Sequence, residues 1–179
     1  MVVAAPVLKP KPATLPVNSF LQRLMLVTDG RITDIVQAYS GETVEAVKLH
    51  QELIISSDRP DLQLDRQSQL MERSILLQGT KSKTNYLYAD SQIVLERLDP
   101  AIRNELIFTR QPIGKLLREN QVETYREIID CGIEPAGRLA QYFQIDPASK
   151  MIYRTYNVLI KRLPVLQITE KFPTTHFVD

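Results

Sequence analysis

LMERSILLQ, from Leu70 to Gln78, counts in twos: Met71, Arg73, Ile75 and Leu77 share one side of a strand, so a charge sits on the apolar face. Far downstream the same count puts Leu166, Ile168, Glu170 and Phe172 together, with Glu170 facing inward. Arg and Glu are rarely buried unless partnered. Two arrangements would satisfy them: an ion pair with each other, or a polar ligand held between them in an otherwise apolar pocket. In the second, the charges stand apart in a hydrated site, and Glu170→Gln costs little stability.

Outward from Leu70–Gln78 the chain reads as strands on one side and helices on the other. Tyr86 to Leu95 is a second strand, joined through the polar, glycine-bearing GTKSKTN as an antiparallel hairpin. Val122 to Asp130 is a third, and Met151 to Ile160 with Val165 to Phe172 forms a hairpin across Lys161 to Pro164. Thr43 to Ile55 is β-like without clean alternation, and Ser56 to Gln67, with Asp58 and Pro60, is a loop. Asn18 and Ser19 cap a helix carrying Phe20, Leu21, Leu24 and Met25 and ending at Asp29-Gly30. A second helix, capped by Thr33 or Asp34, carries Ile35, Val36 and Tyr39 and closes at Ser40-Gly41. Asp99-Pro100 starts a helix through Glu105, and Pro112 opens IGKLLREN, so Phe108 to Gln111 would present N–H groups to an anion. Ala136 to Phe143 is a short helix. Helices first and strands after predict one α+β domain over residues 17–179, with a mainly antiparallel sheet flanked by helices.

The 179 residues suffice for one core, and a net charge of +1 gives no electrostatic case for nucleic acid or an acidic membrane. A small-molecule partner is expected. Cys131 is the only cysteine and cannot form an internal disulfide, which fits a reducing, cytoplasmic setting. No segment approaches the ~18 consecutive apolar residues of a membrane span. Residues 1–16 contain four prolines, with the basic residues after the apolar stretch, unlike a secretory signal; they read as a disordered or wrapping arm.

The chain has no phosphate-binding glycine loop, no Cys-x-x-Cys and no His-Glu-x-x-His. Nucleotide and zinc chemistry lose support. His50 and His176 stand in unrelated contexts and read as surface or packing residues, as does Cys131. Tyr86, Tyr88, Tyr153 and Tyr156 are spaced for sheet packing.

MERSILLQG, TRQPIGKLL, TYREI and LQITEKFP, in that order, resemble chorismate pyruvate-lyases, particularly the branch of cyanobacteria and algal plastids, over Phe20 to Pro173. The resemblance implies a single-domain antiparallel sheet with a largely enclosed internal ligand site. It also implies cofactor-free, metal-free elimination of pyruvate from chorismate, leaving 4-hydroxybenzoate, a quinone head-group precursor. That activity belongs in the cytoplasm, or in the plastid stroma for a plastid-encoded chain. By the same likeness, Arg73 would hold the ring carboxylate through its guanidinium fork. The main-chain N–H of Ile113, beside Gly114, would add a donor. Glu170 would accept from the 4-hydroxyl and serve as a proton acceptor, and Ile32 would be a further contact. Two other classes compete with the enzyme. The fold also serves as the effector domain of bacterial regulators, although the residues before the sheet leave no room for a helix-turn-helix. A structural protein with Arg73 and Glu170 as a buried ion pair is the other.

Overall fold

The computed structural model describes residues 15–17, 19–56, 59–65, 67–108 and 111–178. Most of the proposed arm, together with the proposed cap Asn18, lies outside them. Ser19 caps α1 (Phe20–Val27), its hydroxyl accepting from the Gln22 N–H at 3.2 Å. The helix stops two residues before Asp29 because the Thr28 hydroxyl turns the chain by accepting from Gly30 N–H at 3.0 Å. α2 (Ile32–Ser40) starts earlier than the sequence reading, with Arg31 at the cap position. Asp34 sits in its first turn, where it pairs with Arg31. Gly41 closes α2 in the left-handed conformation, φ 70°.

Six strands follow: β1 (Val44–Ile55), β2 (Gln69–Gly79), β3 (Asn85–Val94), β4 (Tyr125–Pro135), β5 (Lys150–Ile160) and β6 (Leu163–Pro173). They form one sheet in the order β1-β2-β3-β6-β5-β4, antiparallel at every pairing. The β5–β6 turn is tighter than Lys161–Pro164. Lys161 and Arg162, at φ 50° and 69°, make a two-residue turn, and Leu163 and Pro164 already pair with Ile160 and Leu159. Both edge strands are interrupted by one extra residue, Leu49 in β1 and Ile129 in β4.

The remaining helices are α3 (Pro100–Phe108), α4 (Ile113–Glu119) and the short α5 (Ala140–Phe143). Asp99 caps α3 through Ala101 N–H, as the sequence implies, and α3 runs past Glu105 because Leu106 is fully buried. Pro112 stands at the cap of α4 rather than inside its first turn.

One sheet face carries the core, in two groups. α1 and α2 bring Met25, Leu26, Ile32 and Val36 onto Leu77, Leu87, Ile152 and Phe172. Leu106, Ile113, Leu116 and Leu117 from α3 and α4 meet Met71, Ile93, Val158 and Leu166. Ile168 touches both groups. The opposite face is polar across its middle, where Gln92 donates to Glu72 and the hydroxyls of Thr155 and Thr169 meet at 2.8 Å. Its ends are covered by Leu62 and Leu64 and by α5 with Leu139.

Candidate functional site

Between the two core groups the helices do not close over the sheet, and a cavity of about 900 Å³ remains. The sheet lines it from Val44 to Lys48 on β1 across to Arg126 on β4, and its sides are Gly30 to Asp34 and Gln111 to Arg118. Arg73, Glu170, Ile113, Gly114 and Ile32 all line this one space, although they come from four separate parts of the chain. Ile32 and Ile113 open α2 and α4, so the two helix starts face each other across the cavity.

Arg73 and Glu170 do not pair. β3 lies between their strands, and the register sets them two residues out of step, which puts their Cα atoms about 12 Å apart. Arg73 is buried and donates through Nη1 to the carbonyl of Gln111 at 2.9 Å. Burial pushes the basicity of its guanidinium below the ordinary arginine value.

The partner of Glu170 is Arg154, directly opposite it on β5. Arg154 Nε donates to Glu170 Oε2 at 2.8 Å, and Tyr156 hydroxyl donates to Oε1 at 3.0 Å. Arg154 is 1% exposed, lies over the Tyr156 ring at 5.0 Å, and reaches the Thr28 carbonyl through Nη1 at 2.6 Å. Burial foremost, and then the Glu170 carboxylate, drive the Tyr156 phenol far above its ordinary pKa, so it stays a donor. The structure thus overturns the Arg73–Glu170 ion pair; the two charges stand apart on one cavity, and Glu170 has a buried arginine partner that the sequence reading did not include. Arg154 was missed, although counting Ile152, Arg154, Tyr156 and Val158 in twos reveals it.

Tyr156, read from its spacing as sheet packing, instead lines the cavity and bonds Glu170, whereas the histidines and the cysteine are placed as expected. His50 is exposed beside Glu52 at 3.6 Å, His176 packs edge-on to Phe143, and Cys131 is buried with its thiol pushed up by burial. Among the described residues no three His, Cys, Asp or Glu side chains gather as for a metal, and no helix is long and apolar enough to cross a membrane.

An antiparallel sheet with helices over one face, and a charge-lined cavity between those helices, defines an α+β pocket domain. The chain belongs to the chorismate pyruvate-lyase Rv2949c-like family, whose model matches residues 26–177. It is similar to the chorismate pyruvate-lyase of Mycobacterium leprae, 29% identical over 159 residues, covering 88% of this chain and 76% of that protein. A putative lyase of Methanocaldococcus jannaschii is 27% identical over 151 residues, covering 84% of this chain and 77% of that one. In shape it resembles the effector domain of PhnF from Mycobacterium smegmatis, with a TM-score of 0.64 at 14% identity over 83% of this chain and 91% of the domain. The likeness at that identity is one of fold.

Proposed function

We propose that this protein converts chorismate to 4-hydroxybenzoate and pyruvate without metal or cofactor, as a member of the cyanobacterial and plastid branch supplying a quinone head group. The observation that carries this reading is that Arg73 and Glu170 face one cavity from strands two apart, with a helix start at each side. Arg73 binds the ring carboxylate by charge-assisted hydrogen bonds, with the Ile113 N–H beside Gly114 as a second donor. Ile32 packs on the ring. Glu170 accepts from the 4-hydroxyl. Each of its oxygens already accepts one bond, and a carboxylate oxygen has a second lone pair to offer.

Loss of the C4 proton and cleavage of the C3–O bond make the ring aromatic, and the departing enol takes up a proton to become pyruvate. Atoms balance without water or oxidant. The protein then has to orient the ring and to place charge near C4. The setting we assign is the cytoplasm, or the stroma of a plastid.

The test is incubation of the purified protein with chorismate, in excess chelator. Equimolar 4-hydroxybenzoate and pyruvate are expected. A protein that binds 4-hydroxybenzoate and never turns chorismate over is instead an effector-type binding domain, the reading that the fold of PhnF keeps open. Loss of turnover in chelator, restored by one divalent ion, would overturn the metal-free chemistry.

A further inference from the structure

A third arginine lies on the inner face. Arg126 pairs in register with Val158, and both line the cavity. Its place there depends on the extra residue Ile129: Arg126 and Ile128 face inward before it, and Cys131 and Ile133 after it. Arg126 donates through Nη1 to the Asp29 carbonyl at 2.7 Å and, among the described residues, makes no ion pair with an acid. One of its five N–H donors is thereby used. Arg154, by contrast, is neutralised by Glu170.

We infer that Arg126 is the binding residue for the second carboxylate of a dianionic substrate, the one on the enolpyruvyl side chain. This rests on the proposed activity. Chorismate carries its groups in a fixed order: the ring carboxylate at C1, the hydroxyl opposite at C4, and the side chain with its own carboxylate next to the hydroxyl at C3. Across the sheet the matching side chains come in the same order, Arg73 on β2, Glu170 on β6 and Arg126 on β4. Glu170 is two strands from each arginine, and the Cα atoms of Arg73 and Arg126 stand about 20 Å apart by strand spacing. The ring carboxylate and the hydroxyl would remain with the product after elimination, whereas the carboxylate at Arg126 would leave with pyruvate.

The discriminating pair of ligands is 4-hydroxybenzoate, with one carboxylate, and 3-(1-carboxyvinyloxy)benzoate, an already aromatic molecule with both. Calorimetric titration of Arg126→Gln should show about tenfold or greater loss of affinity for the dicarboxylate and none for 4-hydroxybenzoate. Arg73→Lys should weaken both. Arg126→Lys keeps the charge and a donor for the Asp29 carbonyl but not the fork, and should retain part of the dicarboxylate affinity. That variant also gives a reading if Arg126→Gln does not fold. Equal losses for the two ligands, or no loss for either, would overturn the assignment, as would a wild-type protein that binds the dicarboxylate no better than 4-hydroxybenzoate. Failure of the proposed activity shows separately, as wild-type protein that makes no 4-hydroxybenzoate from chorismate.

Discussion

Glu170 owes its position to two donors on the neighbouring strand, Arg154 and Tyr156, both fixed in the sheet two residues apart. A buried carboxylate that has lost its counter-ion partner, or a buried guanidinium left alone, costs about 3–5 kcal/mol. Glu170→Gln and Arg154→Met should each destabilise by that amount in urea denaturation, and Glu170→Leu with Arg154→Met should recover most of it. A Glu170→Gln protein as stable as wild type would show that the pair is not structural. Turnover of chorismate should fall in all three. The inward charges of β2 and β6 were legible by alternation because each stood alone among aliphatic residues. Arg154 obeys the same period, but Tyr153, Thr155 and Asn157 on the other side blur the contrast between faces. Arg126 lies in TYREI and shares a face with Ile128 by twos, but alternation counted back from Cys131 and Ile133 turns it outward, and only the extra Ile129 reconciles the two counts.

At the scale of one element, the β2–β3 hairpin is held by a side chain outside it. Glu42 accepts through Oε2 from the Lys81 and Ser82 N–H groups at 2.8 and 3.0 Å, and through Oε1 from the Ser82 and Tyr86 hydroxyls. Gly79 leaves room for it, since a methyl group there would run into the carboxylate. These donors, the Ser82 hydroxyl first, pull the Glu42 pKa from 4.5 to about 2. Folding stability from Glu42 is therefore complete above about pH 4.5 and lost as pH falls through about 2. Asp61, held by Arg59 and Gln167, has its pKa lowered to about 2 and adds to the loss over the same range. Denaturation midpoints measured from pH 7 to pH 2 should fall more steeply in wild type than in Glu42→Gln. Parallel curves for the two proteins would remove Glu42 from the account. The hairpin itself was legible in GTKSKTN. Its clamp was not, because Glu42 lies 37 residues or more before the turn and no local pattern links them.

Over the whole molecule, α1 to α4 cover one face of the sheet as two pairs from opposite ends. Filling the space left between them joins the two halves of the core, so a ligand that binds only the folded chain stabilises all of it by mass action. 4-Hydroxybenzoate at millimolar concentration should raise the melting temperature, and Arg73→Lys should abolish most of the rise. An unchanged wild-type melting temperature would argue against the ligand. The α+β class and the antiparallel pairing followed from alternation and turn residues; the joining of β3 to β6 did not, because it connects segments far apart in sequence that share no turn. The sheet is open, and its outermost strands, β1 and β4, are 12 and 11 residues long. Straight outer strands of that length offer unpaired amides and carbonyls to any passing copy of the chain, the geometry on which self-templated fibres grow. Leu49 and Ile129 each break that row near its middle, so neither border offers a second molecule an uninterrupted template. At β4 one inserted residue thus serves two ends, turning Arg126 toward the cavity and guarding the chain against aggregation along its rim.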